Sequence, residues 1–282
     1  MFIWDFVASS VFDQILDWVH ASLVDLFSDF FSMMNGMGVE IFEFTWIQAL
    51  LLFFKNIAWI LYIVGCVLAM FETAIAYQNG RGSMQNTALN LIKGFFAATL
   101  VTTLPIEAYK FAISLQSDLT AGLTGFNEGL GNIAISSMST MQTLSLSAAF
   151  MIFLVIALGY AVIKVFFANL KRGGILLIQI AVGTLYMISI PRGFTDAFTG
   201  WCKHVIGLCV TAFLQTVMLT AGLLVFRENL LLGVGIMLSA SEIPRIAEQF
   251  GMDTSVKGNV TSALYAGQAA FSLTHTIANS IK

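Results

Sequence analysis

The chain predicts an all-α, polytopic helical membrane protein with about five transmembrane helices. Three observations carry that expectation. Between residues 145 and 226 it reads LSAAFMIFLVIALGYAVI, GILLIQIAVGTLYMISI and VIGLCVTAFLQTVMLTAGLLVF, apolar runs separated only by short joints that bear Lys and Arg. A helix crosses a hydrocarbon layer about 30 Å thick in roughly 20 apolar residues, and these runs are of that length. Of the 282 residues, 58% are hydrophobic and 10% charged, with a mean hydropathy of +0.86, where a soluble domain carries roughly 25% charged residues. The first 46 residues hold seven acids and no base.

That acidic opening is dense in aromatics, among them Phe2, Trp4, Phe12, Trp18, Phe30 and Phe31. Asp13/Asp17 and Asp25/Asp29 are spaced to share one helix face while apolar residues fill the other, the pattern of a helix lying in the membrane interface. No Lys or Arg precedes Lys55, so the positive start of a cleavable signal peptide is missing and residues 1–46 are expected in the mature protein. Asn35, Gly36 and Gly38 end the segment.

Residues 47–113 hold two spans, the first at 56–76 with Lys55 snorkelling to the near surface. The second, at 92–111, is expected to be kinked at Pro105 or tilted, because proline removes a backbone donor. Residues 114–143 lack Lys and Arg and are rich in Gly, Ser, Thr and Asn, which predicts a polar outer loop. Residues 144–241 then hold a three-span core at 145–163, 173–191 and 205–226. The core is followed by a run at 230–241 too short to cross unaided and expected to be re-entrant or packed. Residues 242–282 form a tail whose apolar positions after Gly251 follow helical spacing.

Orientation follows from the bases, since short Lys/Arg-bearing loops stay in the cytoplasm. The base-free amino terminus belongs outside. Alternation puts Arg81 and Lys93 inside, the loop 114–143 outside, and Lys164, Lys171 and Arg172 inside. The joint 192–204 then falls outside despite Arg192 and Lys203, and the tail is cytoplasmic.

Enzyme signatures do not appear. His20, His204 and His275 lie in three separate segments without metal-binding spacing. No Walker loop, GxSxG elbow or dinucleotide fingerprint occurs, so no cofactor, metal or catalytic residue is expected. Cys66, Cys202 and Cys209 form no CxxC pair and read as small buried residues. A net charge of -3 with scattered bases gives no grip on nucleic acid.

Polar residues inside spans are the better pointers, because lipid penalises them. Gln179 and Gln215, with Thr211 near the latter, are candidates for a lumen or for interhelical hydrogen bonds. Such bonds contribute about 0.6 kcal/mol each. Small residues four apart, Ala157/Ala161, Gly207/Thr211 and Gly235/Ser239, are candidates for close helix packing within or between subunits. A small-solute or ion transporter and a purely structural scaffold are the competing classes; a transporter usually carries charges deep in its spans.

The stretches GYAVIKVFFANLKRGGILLIQIAVGTLYMISIPRGF (159–194), WCKHVIGLCVTAFLQ (201–215) and EIPRIAEQFGMDTS (242–255) carry a resemblance. With FETAIAYQNGRGS and the opening MFIWDFV, they resemble the TrbL-like conjugal transfer membrane proteins of Gram-positive integrative and conjugative elements. The resemblance implies the polytopic subunit of a type IV secretion system in the cell membrane, a homo-oligomeric channel or scaffold passing a DNA–relaxase complex. Its partners would be other secretion subunits, a coupling protein and ATPases. The outer loop from Thr120 to Gln142 and the face of Gln179, Thr211 and Gln215 would be the lumenal or partner-facing positions. No catalytic residue comes with the resemblance.

Overall fold

The computed structural model describes residues 38–124 and 148–252, with isolated positions outside those ranges, and every element it describes is helical. A 3-10 turn at Glu40–Glu43 leads through extended Phe44 into α1, Thr45–Gln78. Asn79 and Gly80 end α1, the glycine at φ +70 in the left-handed region that side chains avoid. Helix α2, Met84–Leu100, starts on Ser83, whose hydroxyl accepts from the Asn86 amide at 3.4 Å. Residues 101–103 interrupt the ladder, and α3, Leu104–Thr124, leaves at 55° to α2 with Pro105 in its first turn, where no intrahelical N–H is needed. The kink expected at Pro105 is thus a break.

Helix α4, Ala148–Leu185, runs without interruption past Lys164, Lys171 and Arg172. This corrects the sequence reading, which placed a joint there between two spans. Lys and Arg are good helix formers, and here Lys164 and Lys171 are exposed while Arg172 turns inward. Gly173, which suggests a turn, serves close packing instead: a Cβ there would lie 2.8 Å from the Gly38 carbonyl. At 38 residues and 1.5 Å per residue, α4 is about 57 Å long.

A 3-10 turn at Tyr186–Ile188 and a tight turn through Gly193 (φ +93) lead to α5, Asp196–Glu228. Asn229 caps α6, Leu230–Ala240, accepting from the Leu232 amide at 3.1 Å, and α7, Ile243–Gln249, follows at 52°. Among the described residues three helices are long and apolar enough to span, or up to five if each bent pair is one span. The 230–241 run is packed on the bundle, against α5 and α4.

Helix α5 is the axis of the bundle, flanked by α3, α4 and α6. Two apolar cores lie along it. The first half of α4, the last half of α5 and α6 meet through Leu154, Leu158, Val162, Leu223, Phe226 and Met237. The other halves of α4 and α5 meet α1, α2 and α3 through Ile47, Ala98, Tyr109, Leu176, Met187 and Trp201. Arg192 donates to Glu72 from Nε at 3.0 Å and from Nη2 at 2.6 Å, beside Arg81 in one polar cleft. The joint at 192–204 therefore shares an end of the bundle with the 79–83 turn. The alternation set them on opposite sides; the uninterrupted α4 instead brings them to the same end of the bundle. Residues 114–124, read as the start of a loop, belong to α3. The amino-terminal interfacial helix, the rest of the loop and the tail helix lie outside the described residues.

Candidate functional site

A layer of polar side chains separates the two cores at the middle of the α4–α5 pair. Asn169 and Arg172 stand three apart on α4 and so share a face; both are buried, at 3% and 4% exposure. The Arg172 guanidinium donates from Nη1 to Asn169 Oδ1 and from Nη2 to Gln215 Oε1, tying α4 to α5. Asn169 donates its amide to Thr216 Oγ1 at 3.3 Å, a second tie between the same helices. Gln215 in turn donates from Nε2 to the Ala240 carbonyl at 3.0 Å, the last residue of α6. One network thus joins three helices. The Ala240 carbonyl stands in the last turn of α6, where no intrahelical donor remains for it.

A fourth and fifth segment close over the layer. Tyr109 of α3 is buried at 1% exposure. Its hydroxyl lies 2.8 Å from where a Cβ on Gly38 would sit, and that position is also 3.4 Å from the Asn169 carbonyl. Gly38 has φ +86, so conformation and space both require glycine. The chain entering α1 therefore caps the site.

Among the described residues no carboxylate pairs with Arg172. A buried cation costs several kcal/mol to desolvate, and amide oxygens recover part of that through charge-assisted bonds of about 1.5–3 kcal/mol each. The arrangement fixes helices rather than moving protons. Among the described residues, no three His, Cys, Asp or Glu come together as metal ligands.

The candidates named from sequence separate on the structure. Thr211 and Gln215 are buried at 0% and 2% exposure, Thr211 donating to the Gly207 carbonyl at 2.8 Å. Gln179 is half-buried two turns further along α4, where its backbone carbonyl accepts from Trp201 Nε1 at 2.7 Å. The three do not form a shared open face. Ala161 is fully buried in the α4–α5–α6 core, Ala157 packs at its margin, and Gly207 is buried on α5. Gly235 faces open space. The glycines that seat α6 are Gly222 and Gly233: a Cβ on Gly233 would lie 2.4 Å from Phe226 Cα, and one on Gly222 2.9 Å from the Met237 amide nitrogen. Sequence reasoning missed Asn169, Arg172 and Tyr109. The signal for the first pair was their i,i+3 spacing inside a mostly apolar helix.

In the turn between α4 and α5, the Glu72 carboxylate accepting from Arg192 holds that guanidinium above its ordinary pKa. The Arg192 guanidinium also lies 5.4 Å from the Phe194 ring centre. Comparison with known families matches residues 1–282, the whole chain, to the family described as conjugal transfer protein TrbL. Comparisons with curated proteins and with solved structures find no match.

Proposed function

The chain belongs to the TrbL family of conjugal transfer proteins, and on that premise we propose that it is a channel or scaffold subunit helping DNA–protein substrate cross the cell membrane. Conjugal transfer, in association with type IV secretion, follows from the family itself. The observation that carries the finer reading is the polar layer, in which Arg172, Asn169 and Gln215 join α4, α5 and α6. A protein that withstands passage of a large substrate benefits from helices locked by directional bonds within the subunit. Packing alone in lipid is less specific.

The burial of Thr211 and Gln215 favours the scaffold side of this reading for those residues. A route for substrate would then form between subunits of a homo-oligomer, with other secretion subunits, the coupling protein and ATPases as partners. For topology we propose an outer amino terminus and five crossings: α1, α2–α3, α4, α5 and α6–α7, the two bent pairs each counting once. The 79–83 and 189–195 turns, bearing Arg81 and Arg192, then face the cytoplasm, and the base-free residues 125–147 face out. The tail after α7 is cytoplasmic.

Deleting the gene from its conjugative element should abolish DNA transfer, and the wild-type chain supplied in trans should restore it. Transfer at the parental frequency without the gene would defeat the proposal. The purified chain in liposomes should give no solute-dependent flux, whereas flux without partners would revive the transporter class.

A further inference from the structure

Helix α3 presents one buried stripe, Tyr109, Ala112, Ile113, Gln116 and Thr120, and its chief packing partner is α5. The first three positions fill the apolar core with Leu208, Cys209 and Ala212. The next two are polar. Gln116 is at 0% exposure, yet neither its amide nitrogen nor its oxygen has a protein partner. The Thr120 hydroxyl, at 4% exposure, has none either, and the same holds for Thr102 in the break that precedes α3. A primary amide brings two donors and an acceptor, and burying all of them unmet forfeits their hydration. Such groups in native proteins are satisfied by bound water when protein does not satisfy them.

The partner helix α5 carries buried hydroxyls too, of which Thr216 already accepts from Asn169 of α4. Thr211, Thr216 and Thr220 of α5 are each at 0% exposure. Their protons go to their own helix, to the carbonyls of Gly207 at 2.8 Å, Ala212 at 3.4 Å and Thr216 at 3.0 Å. The hydroxyl oxygens keep lone pairs that can accept from water.

We infer that the α3–α5 interface is a hydrated seam in which Gln116 and Thr120 bind water. This deepens the translocation reading, on which it rests for its purpose but not for its hydration. The seam lies within the subunit along α3, so it hydrates the scaffold and is separate from the substrate route proposed between subunits.

The test uses the full chain with Cys66, Cys202 and Cys209 changed to Ala. Gln116→Cys and Thr120→Cys are compared with Leu158→Cys in the dry core for modification by a charged methanethiosulfonate. Thiolate forms where water reaches the sulfur, so positions 116 and 120 should react at least about tenfold faster than 158. In parallel, Gln116→Leu is introduced into the wild-type chain and its thermal midpoint in detergent is measured. A dry, unmet amide replaced by leucine raises the midpoint; a hydrated one does not, because the remaining waters lose a partner. Rates at 116 and 120 equal to that at 158, or a raised midpoint, overturn the seam. Neither readout requires DNA transfer, so failure of the seam and failure of the conjugation reading are separately visible.

Discussion

Arg172 holds a full positive charge on the oxygens of two amides, with Asn169 and Gln215 as its partners. Removing one partner of a buried charge costs more than removing both, because the charge is left behind. Gln215→Leu should therefore destabilise the chain by about 3 kcal/mol, and the double variant Arg172→Met, Gln215→Leu should recover most of the loss. Gln179→Leu should stay within about 0.5 kcal/mol of wild type, since that side chain is half-buried and outside the network. Thermal unfolding in detergent measures all three, and equal losses at Gln179 and Gln215 would remove the network's special status. Gln215 was visible in the sequence as an amide in an apolar run. Arg172 was not, because it stands beside Lys171 and before two glycines, which is how a cytoplasmic joint reads.

At the scale of the element, α6 is held by shape more than by length. Eleven residues cannot cross a bilayer, and its seat on α5 depends on Gly222 and Gly233, where backbone approaches backbone. Gly233→Ala should loosen α6 and cost about 1–3 kcal/mol by overpacking. Gly235→Ala, in open space on the same helix, should leave the midpoint level or slightly raised. Limited proteolysis between α5 and α6 reads the difference, and equal protection of the two variants would refute it. The short run's packing was readable from its length. Which of its two glycines packs was not, since small residues repeat on both faces and only the partner helix distinguishes them.

At the scale of the whole molecule, the all-helical membrane bundle was readable because hydropathy reports lipid exposure directly. The order of crossings was not, because charge alone does not say whether a basic residue lies in a turn or on a continuous helix. The placement of Arg192 on Glu72, beside Arg81, gathers the bases of two turns at one end. The Arg172 network has a consequence in time as well as space. Gln215, its amide partner on α5, is synthesised after α4, so α4 meets the translocon with its guanidinium held by Asn169 alone. A central arginine costs about 2.5–3.5 kcal/mol to insert. A chain ending at residue 195 should leave α4 poorly inserted, and Arg172→Leu should restore insertion, as read by protease protection in isolated membranes. Full insertion of the truncated wild-type chain would show that α4 does not wait. In biogenesis, we therefore expect the charge that locks the finished bundle to make α4 a helix that settles only when the ribosome has delivered α5.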